Sequence, residues 1–98
     1  MTICEAIAKR RLLRFSYGGH EREVVPAAYG PHKTTGNFVL RAYQVGGTSS
    51  SRVPPFWSLF EEAEMSDLTM SDQTFPENPD RYDPDDAHID VVCCLDAN

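Results

Sequence analysis

The sequence predicts a mainly β fold, in which one N-terminal helix is followed by about five short antiparallel strands that curve into a small open barrel. Two observations support this prediction. Apolar and polar residues alternate after residue 11, as in half-buried strands, and glycine-rich segments mark the turns. With 98 residues, 41% of them hydrophobic and 24% charged, the chain has the size and composition of one globular domain.

The first element is a helix of about ten residues that begins at Thr2. Thr2 and Glu5 fit a capping box, in which each side chain satisfies a free backbone N–H group. Ile3, Ala6 and Ile7 follow at helical spacing and give the helix one apolar face. Because a helix this short is marginally stable alone, we expect that face to pack on the sheet.

The next two strands are predicted to form a hairpin. Apolar residues alternate with polar ones up to Tyr17, and Gly18 and Gly19 then supply a two-residue turn that tolerates positive φ. The return strand covers residues 20–25. We expect it to end at Pro26, because proline has no N–H group to donate to the ladder.

The strongest alternation runs over residues 37–45. Leu40 and Ala42 fall on one face of this predicted strand. Arg41 and Tyr43 fall on the other face. We expect the core of the barrel to contain Leu13, Phe15, Leu40, Phe60 and Leu68.

The remaining strands are predicted from shorter patterns. Pro54 and Pro55 delay the fourth strand until Phe56, and Leu68 lies in a fifth. We therefore divide the chain into a barrel domain with its N-terminal helix, residues 1–75, and a C-terminal arm, residues 76–98. The arm is rich in Pro and Asp, so we expect it to be extended and held by few contacts, with Phe75 and Tyr82 as anchors and residues 88–95 as a final strand or turn.

Charge divides the chain in the same way. Residues 1–60 carry eight Lys or Arg against three Glu, whereas residues 61–98 carry twelve acidic residues against one Arg. The net charges of the two parts are +5 and -11. A basic surface followed by an acidic segment indicates that the acidic part aids solubility, or repels or competes with nucleic acid.

Several classes of site are disfavoured. The three cysteines include an adjacent pair and lack C-x-x-C spacing, so the sequence predicts reduced thiols and neither a disulfide nor a zinc site. The histidines are scattered, and no nucleophile motif or phosphate-binding loop is present, so we expect no catalytic residue, no metal and no cofactor. No apolar run suits a membrane span or signal peptide, which predicts a cytoplasmic protein without membrane contact.

Three segments in order carry a resemblance to a known family. They are an aromatic strand that ends in Tyr (residues 13–17), an Arg-x-x-x-Pro segment (residues 22–26) and a strand that leads into Ala-Tyr (residues 36–43). Together they resemble the WYL domain of bacterial transcription regulators. Residues 38–40 read Phe-Val-Leu where the family has Trp-Tyr-Leu, and the Trp-Ser-Leu-Phe at residues 57–60 continues the similarity.

The resemblance implies an Sm-like, SH3-type barrel with a basic pocket for an anionic ligand, which in some regulators is single-stranded nucleic acid. The candidate ligand-binding residues, carried over by position, are Tyr17, Arg22, Arg41, Tyr43 and Arg52. These residue types suit the role, because guanidinium groups form paired hydrogen bonds to phosphate and aromatic rings stack on bases.

We therefore expect a stand-alone, divergent, non-catalytic sensor of a nucleotide or single-stranded nucleic acid that acts with a separate helix-turn-helix partner. One departure from the family favours an alternative. Glu61, Glu62 and Glu64 stand where the family commonly has a basic residue, and these acids oppose a phosphate. The alternative is a protein-interaction module, as in a homo-oligomer, that has kept the barrel and lost the pocket.

Overall fold

The computed structural model describes residues 2–96, which form one α-helix and six β-strands. In chain order these are α1 (Thr2–Lys9), β1 (Arg11–Tyr17), β2 (His20–Pro31), β3 (Phe38–Gly47), β4 (Phe56–Glu61), β5 (Ser66–Thr74) and β6 (Cys93–Cys94), with a 3₁₀ turn at Glu62–Glu64. The strands form one unclosed antiparallel sheet in the order β4-β3-β2-β1-β5, and β6 pairs with β2. This arrangement confirms the predicted mainly β, open barrel-like fold with one N-terminal helix. Met1, Ala97 and Asn98, the ends of the two predicted ranges, lie outside the described residues.

The β1–β2 hairpin forms as its glycine pair predicts. Tyr17 pairs with His20 across the turn, and φ is 59° at Gly18 and 79° at Gly19. Residues with a Cβ rarely adopt this conformation, so the two glycines make the tight turn possible. The resulting register pairs Arg22 with Phe15 of β1, close to the turn.

Strand β2 continues beyond Pro26, so the predicted end at that residue is wrong. Pro26 pairs with Ala42 of β3, and the register of the ladder shifts between Pro26 and Ala28. A residue without an N–H group is tolerated at such an irregularity. The first half of β2 pairs with β1 and the second half pairs with β6, so one long strand joins the hairpin to the C-terminal arm.

The main core lies on the face of β3 that the alternation of apolar and polar residues predicts. Leu40 and Ala42 are fully buried on the inner face, and Ile3 and Ile7 of α1 pack into the same cluster. Leu68 was also predicted to be core but is only half-buried in β5. The other predicted core residues are buried: Leu13, Phe15 and Phe60.

The C-terminal arm packs against the barrel, so the prediction that few contacts hold it is wrong. Ile89 is buried with Ala28 and Val39 in a second apolar cluster, and Leu95 joins the main core. Phe75, the residue just before the arm, is also buried. Buried apolar side chains therefore help to fix this acidic arm on the sheet.

The prediction of reduced cysteines is wrong for two of the three. Cys4 of α1 and Cys93 of β6 form a disulfide, while Cys94 is a free, exposed thiol. Adjacent residues of a strand point to opposite sides, so the Cys-Cys pair sends one sulfur toward the helix and the other to solvent. The partner lies 89 residues away in the sequence, a pairing that only the folded arrangement of α1 and β6 produces.

Candidate functional site

The five predicted ligand-binding residues fall into two groups on opposite faces of the sheet. Arg22 donates a hydrogen bond to Gln44, a buried residue on the inner face of β3. Arg41 and Tyr43 belong to the alternate set of β3 residues, on the opposite side of the strand from Gln44. Arg22 and Arg41 therefore do not converge on one pocket, although the sequence analysis placed both in the same site.

The guanidinium of Arg22 forms hydrogen bonds within the protein. Its guanidinium donates from Nε and Nη2 to the carbonyl of Tyr17, at 3.3 and 3.0 Å, and from Nη1 to Gln44 Oε1 at 3.2 Å. The residue is only 9% exposed and lies 5.7 Å from the ring centre of Phe60. Burial lowers its pKa from the ordinary value, and the nearby positive charge of Arg52 adds to this effect. These contacts give Arg22 a structural role in holding the end of the β1–β2 hairpin on β3.

Tyr17 and Arg52 are similarly engaged. The Tyr17 hydroxyl accepts a hydrogen bond from the Glu61 backbone N–H at 3.1 Å, which ties β1 to the end of β4. Arg52 donates to the Trp57 carbonyl at 3.0 Å, and its guanidinium lies 4.1 Å from the ring centre of Phe56. Both residues therefore fasten neighbouring segments to β4.

The second group lies on the outer face and includes aromatic residues that the sequence analysis did not select. Tyr43 is directly opposite Trp57 in the β3–β4 ladder, and their ring centres are 5.1 Å apart. Tyr82 of the arm also stacks on Trp57, with ring centres 6.4 Å apart. The indole N–H of Trp57 donates to the Asp80 carbonyl at 2.8 Å. A row of aromatic rings therefore runs from β3 to the arm beside Arg41.

The guanidinium of Arg41 forms an ion pair with a carboxylate of the C-terminal arm. Arg41 Nε donates to Asp86 Oδ2 at 2.8 Å, and Nη2 lies 3.5 Å from Oδ1. The Asp86 carboxylate also accepts the His88 backbone N–H at 3.0 Å. Burial opposes ionisation of Asp86, but the hydrogen bonds from Arg41 and His88, together with their charges, hold its pKa below the ordinary value. Asp86 is thus a bound anion supplied by the protein itself.

An open cavity of about 260 Å³ adjoins this ion pair. Its charged and aromatic lining residues are Arg41, Trp57, Arg81, Asp83, Asp86 and His88. Only Arg41 of these was predicted, because the arm was expected to make few contacts. The apolar residues over 89–95 were a usable signal, since Ile89, Val91, Cys93 and Leu95 recur at every second position, as in a strand.

Other kinds of site are not formed by the described residues. Within residues 2–96, no three His, Cys, Asp or Glu side chains come together in a group that could hold a metal ion. No helix in that range is long and apolar enough to cross a membrane. Comparison of the chain with protein families, with curated proteins and with solved structures finds no match.

Proposed function

We propose that this protein is a non-catalytic, ligand-sensing module that binds an anionic ligand, a nucleotide or single-stranded nucleic acid, at Arg41 on the outer face of the barrel. The observation that carries the proposal is the paired hydrogen bonding of the Asp86 carboxylate by Arg41, beside the ring of Trp57. A guanidinium that holds a carboxylate in this way has the geometry to hold a phosphate.

The aromatic row supplies the second half of the recognition chemistry. Base stacking on an aromatic side chain contributes about 1–3 kcal/mol per base and tolerates any sequence. Tyr43 and Trp57 lie on the same face as Arg41, one of them two residues further along β3 and the other on β4. A phosphate on Arg41 therefore leaves an attached base within reach of these rings once Tyr82 has moved aside.

The acidic arm acts in this proposal as an internal competitor. Asp86 is paired with the guanidinium that the ligand needs, and the arm, residues 76–98, carries seven acidic residues against one Arg, a net charge of -6. Charges beyond ~8 Å are largely screened at physiological salt, so the direct Arg41–Asp86 contact dominates over the general acidity of the arm. Ligand binding then requires displacement of the arm.

The resemblance to the WYL domain supports the class of function. It implies a sensor module of bacterial transcription regulators, located in the cytoplasm and acting with a helix-turn-helix partner protein. The site differs from the one that the resemblance implies, because Tyr17, Arg22 and Arg52 are engaged in structural contacts. The proposal therefore keeps the ligand class and assigns recognition to Arg41 and Tyr43, with Trp57 added.

Fluorescence anisotropy with a labelled single-stranded oligonucleotide, at low and moderate salt, tests the proposal. We expect Arg41→Ala to weaken binding about tenfold or more, because a charged hydrogen bond contributes about 1.5–3 kcal/mol. Asp86→Asn should strengthen binding, because it removes the competing charge. Arg14→Ala is the matched control: Arg14 pairs with Glu23 elsewhere on the sheet, so this variant loses the same charge without touching the site. If Arg14→Ala and Arg41→Ala weaken binding equally, the binding is nonspecific electrostatic attraction and the proposed site is wrong.

A specific feature favours the alternative, a protein-interaction module that forms a homo-oligomer. Phe38 is 45% exposed beside a cavity of about 590 Å³ that Glu61, Glu62 and Glu64 also line. In the described part of the chain, no basic side chain forms a salt bridge with these three acids. If no variant binds the oligonucleotide even at low salt and light scattering shows a stable oligomer, the interaction module replaces the sensor.

A further inference from the structure

The Cys4–Cys93 disulfide fastens the distal end of the C-terminal arm to helix α1. Cys4 lies in the helix, whose apolar face is buried in the core, and Cys93 lies in β6. Both bonded cysteines are half-buried, whereas Cys94 is exposed. The disulfide therefore gives the arm a covalent anchor on the barrel.

Backbone hydrogen bonds connect this anchor to the Arg41 site. The N–H groups of Val92 and Asp90 donate to carbonyls of β2 at 2.8 and 2.9 Å, and Lys33 N–H donates to the His88 carbonyl at 2.8 Å. Asp86 lies two residues before His88 in the sequence. The segment between the disulfide and the ion pair is therefore docked along β2 as one piece.

Gly30 of β2 makes this close docking possible. A Cβ at Gly30 would lie 2.2 Å from the backbone oxygen of Asp90 and 3.0 Å from the nitrogen of Val92. Non-bonded atoms do not approach that closely, so any side chain at this position must displace the arm. Gly30→Ala is consequently a way to detach the arm without altering a cysteine or a charge.

We infer that the disulfide is a redox-controlled latch, which keeps Asp86 on Arg41 while it is formed and lets the arm leave when a dithiol reduces it. The inference rests on the proposed function, because the latch controls access to the anion site. Disulfides of cytoplasmic proteins are usually transient and often sense redox state. Once the covalent anchor is lost, a larger fraction of molecules has a free Arg41, and the apparent Kd for the ligand falls in proportion.

The opening step is thiol–disulfide exchange with a dithiol reductant. One reductant thiolate attacks a sulfur of the disulfide, breaks the S–S bond and forms a mixed disulfide, while the released cysteine sulfur takes up a proton. The second reductant thiolate then displaces the other cysteine, which is also protonated. Two electrons pass to the protein, and the reductant becomes a disulfide.

Amide hydrogen exchange and oligonucleotide binding, measured on the same full chain before and after reduction by dithiothreitol, test the latch. In the reduced protein we expect the amides of Val92 and Leu95 to exchange at least about tenfold faster. The amides of Leu13 and Leu40 should keep their protection, because the barrel stays folded. The labelled oligonucleotide should bind about tenfold more tightly in the reduced state.

Three variants separate the latch from general effects of the reductant. Cys4→Ser removes the bonding partner on α1, so it should give the open behaviour without reductant. Gly30→Ala should also open the oxidised protein, because it displaces the arm sterically. Cys94→Ser is the matched control and should respond to reduction as the wild type does, since Cys94 is outside the disulfide.

Different experimental results would overturn the latch and the proposed function. Faster arm exchange without oligonucleotide binding in any state supports the latch and overturns the proposed function. Unchanged exchange at Val92 and Leu95 after reduction overturns the latch, even where the oligonucleotide binds. Loss of protection at Leu13 and Leu40 also overturns it, because the disulfide would then maintain the whole fold.

Discussion

Arg22 and Arg41 lie on adjacent strands, yet they differ in whether their partners can leave. Arg22 donates to the Tyr17 carbonyl, a backbone group within β1, and that acceptor cannot depart without disruption of the hairpin. Arg41 donates to Asp86, a side chain of the arm. Arg41 is therefore the arginine of the two whose partner is a side-chain carboxylate of a separate segment, which is why we propose it as the ligand site.

Leu40 allows a test of the core at the level of a single side chain. It is fully buried on the inner face of β3, so Leu40→Ala should lower the free energy of unfolding by about 2–5 kcal/mol, through lost burial and the cavity left behind. Val45→Ala in the same strand removes an exposed side chain and should change stability by less than about 0.5 kcal/mol. Urea denaturation of both variants measures the difference. Similar losses in the two would contradict the assignment of the core.

At the scale of elements, alternation predicted strands with one face more exposed than the other, as over residues 40–45 of β3, whereas β2 is buried on both faces over residues 24–30. The same rule placed Arg41 and Tyr43 together on one side of β3. It could not place Trp57 opposite Tyr43, since strand register depends on the loop between β3 and β4. Nor could it place Asp86 on Arg41, because a contact 45 residues apart depends on how the arm docks.

The prediction that few contacts hold the arm was also wrong for a physical reason. Its Pro and Asp content suggested a segment with little to bury, but docking depends on a few positions. Ile89 fills a small apolar cluster, and Gly30 of β2 leaves room for the arm backbone. Gly30 belongs to no periodic pattern, and the alternation that begins at Ile89 is short, so the acidic, Pro-rich composition outweighed both.

Docking of the arm should depend on pH through Asp86. Its folded pKa is lowered, so the stability it contributes is complete above its unfolded pKa, about 3.9, and is lost as pH falls through the lower folded pKa. The wild type should therefore be more stable than Asp86→Asn above about pH 5, and the difference should shrink as the pH falls below about 4. Thermal unfolding across this range measures the effect.

Asp85 provides the control for this pH dependence. It is an exposed neighbour of Asp86 in the arm, so Asp85→Asn removes the same charge without breaking the Arg41 contact. Asp85→Asn should follow the wild-type profile. A stability difference between the wild type and Asp86→Asn that is constant with pH would contradict a role for the ionised carboxylate.

At the scale of the whole molecule, the disulfide closes a loop that spans nearly the entire chain. Its cysteines are 89 residues apart, and loops of this length are stabilised by about 4–5 kcal/mol in the chain-entropy description. The bond also joins the first helix to the last strand, so it makes the arm and the barrel unfold together. Without it, the arm keeps its noncovalent contacts, which include the ion pair, backbone hydrogen bonds, the contacts of Trp57 and a few buried side chains.

The reduced protein should therefore unfold in two steps and the oxidised protein in one. Trp57 is the only tryptophan, and it contacts the arm through Tyr82 and the Asp80 carbonyl, so its fluorescence reports arm release. Circular dichroism reports the sheet. In urea the two signals should coincide for the oxidised chain, whereas after reduction the fluorescence change should come at lower urea than the loss of β structure. Cys4→Ser should reproduce the reduced pattern without reductant, because it removes the same covalent link. Coincident transitions in the reduced protein would mean that the arm and the barrel form one cooperative unit even without the disulfide, and Arg41 would then stay covered until the whole protein unfolds.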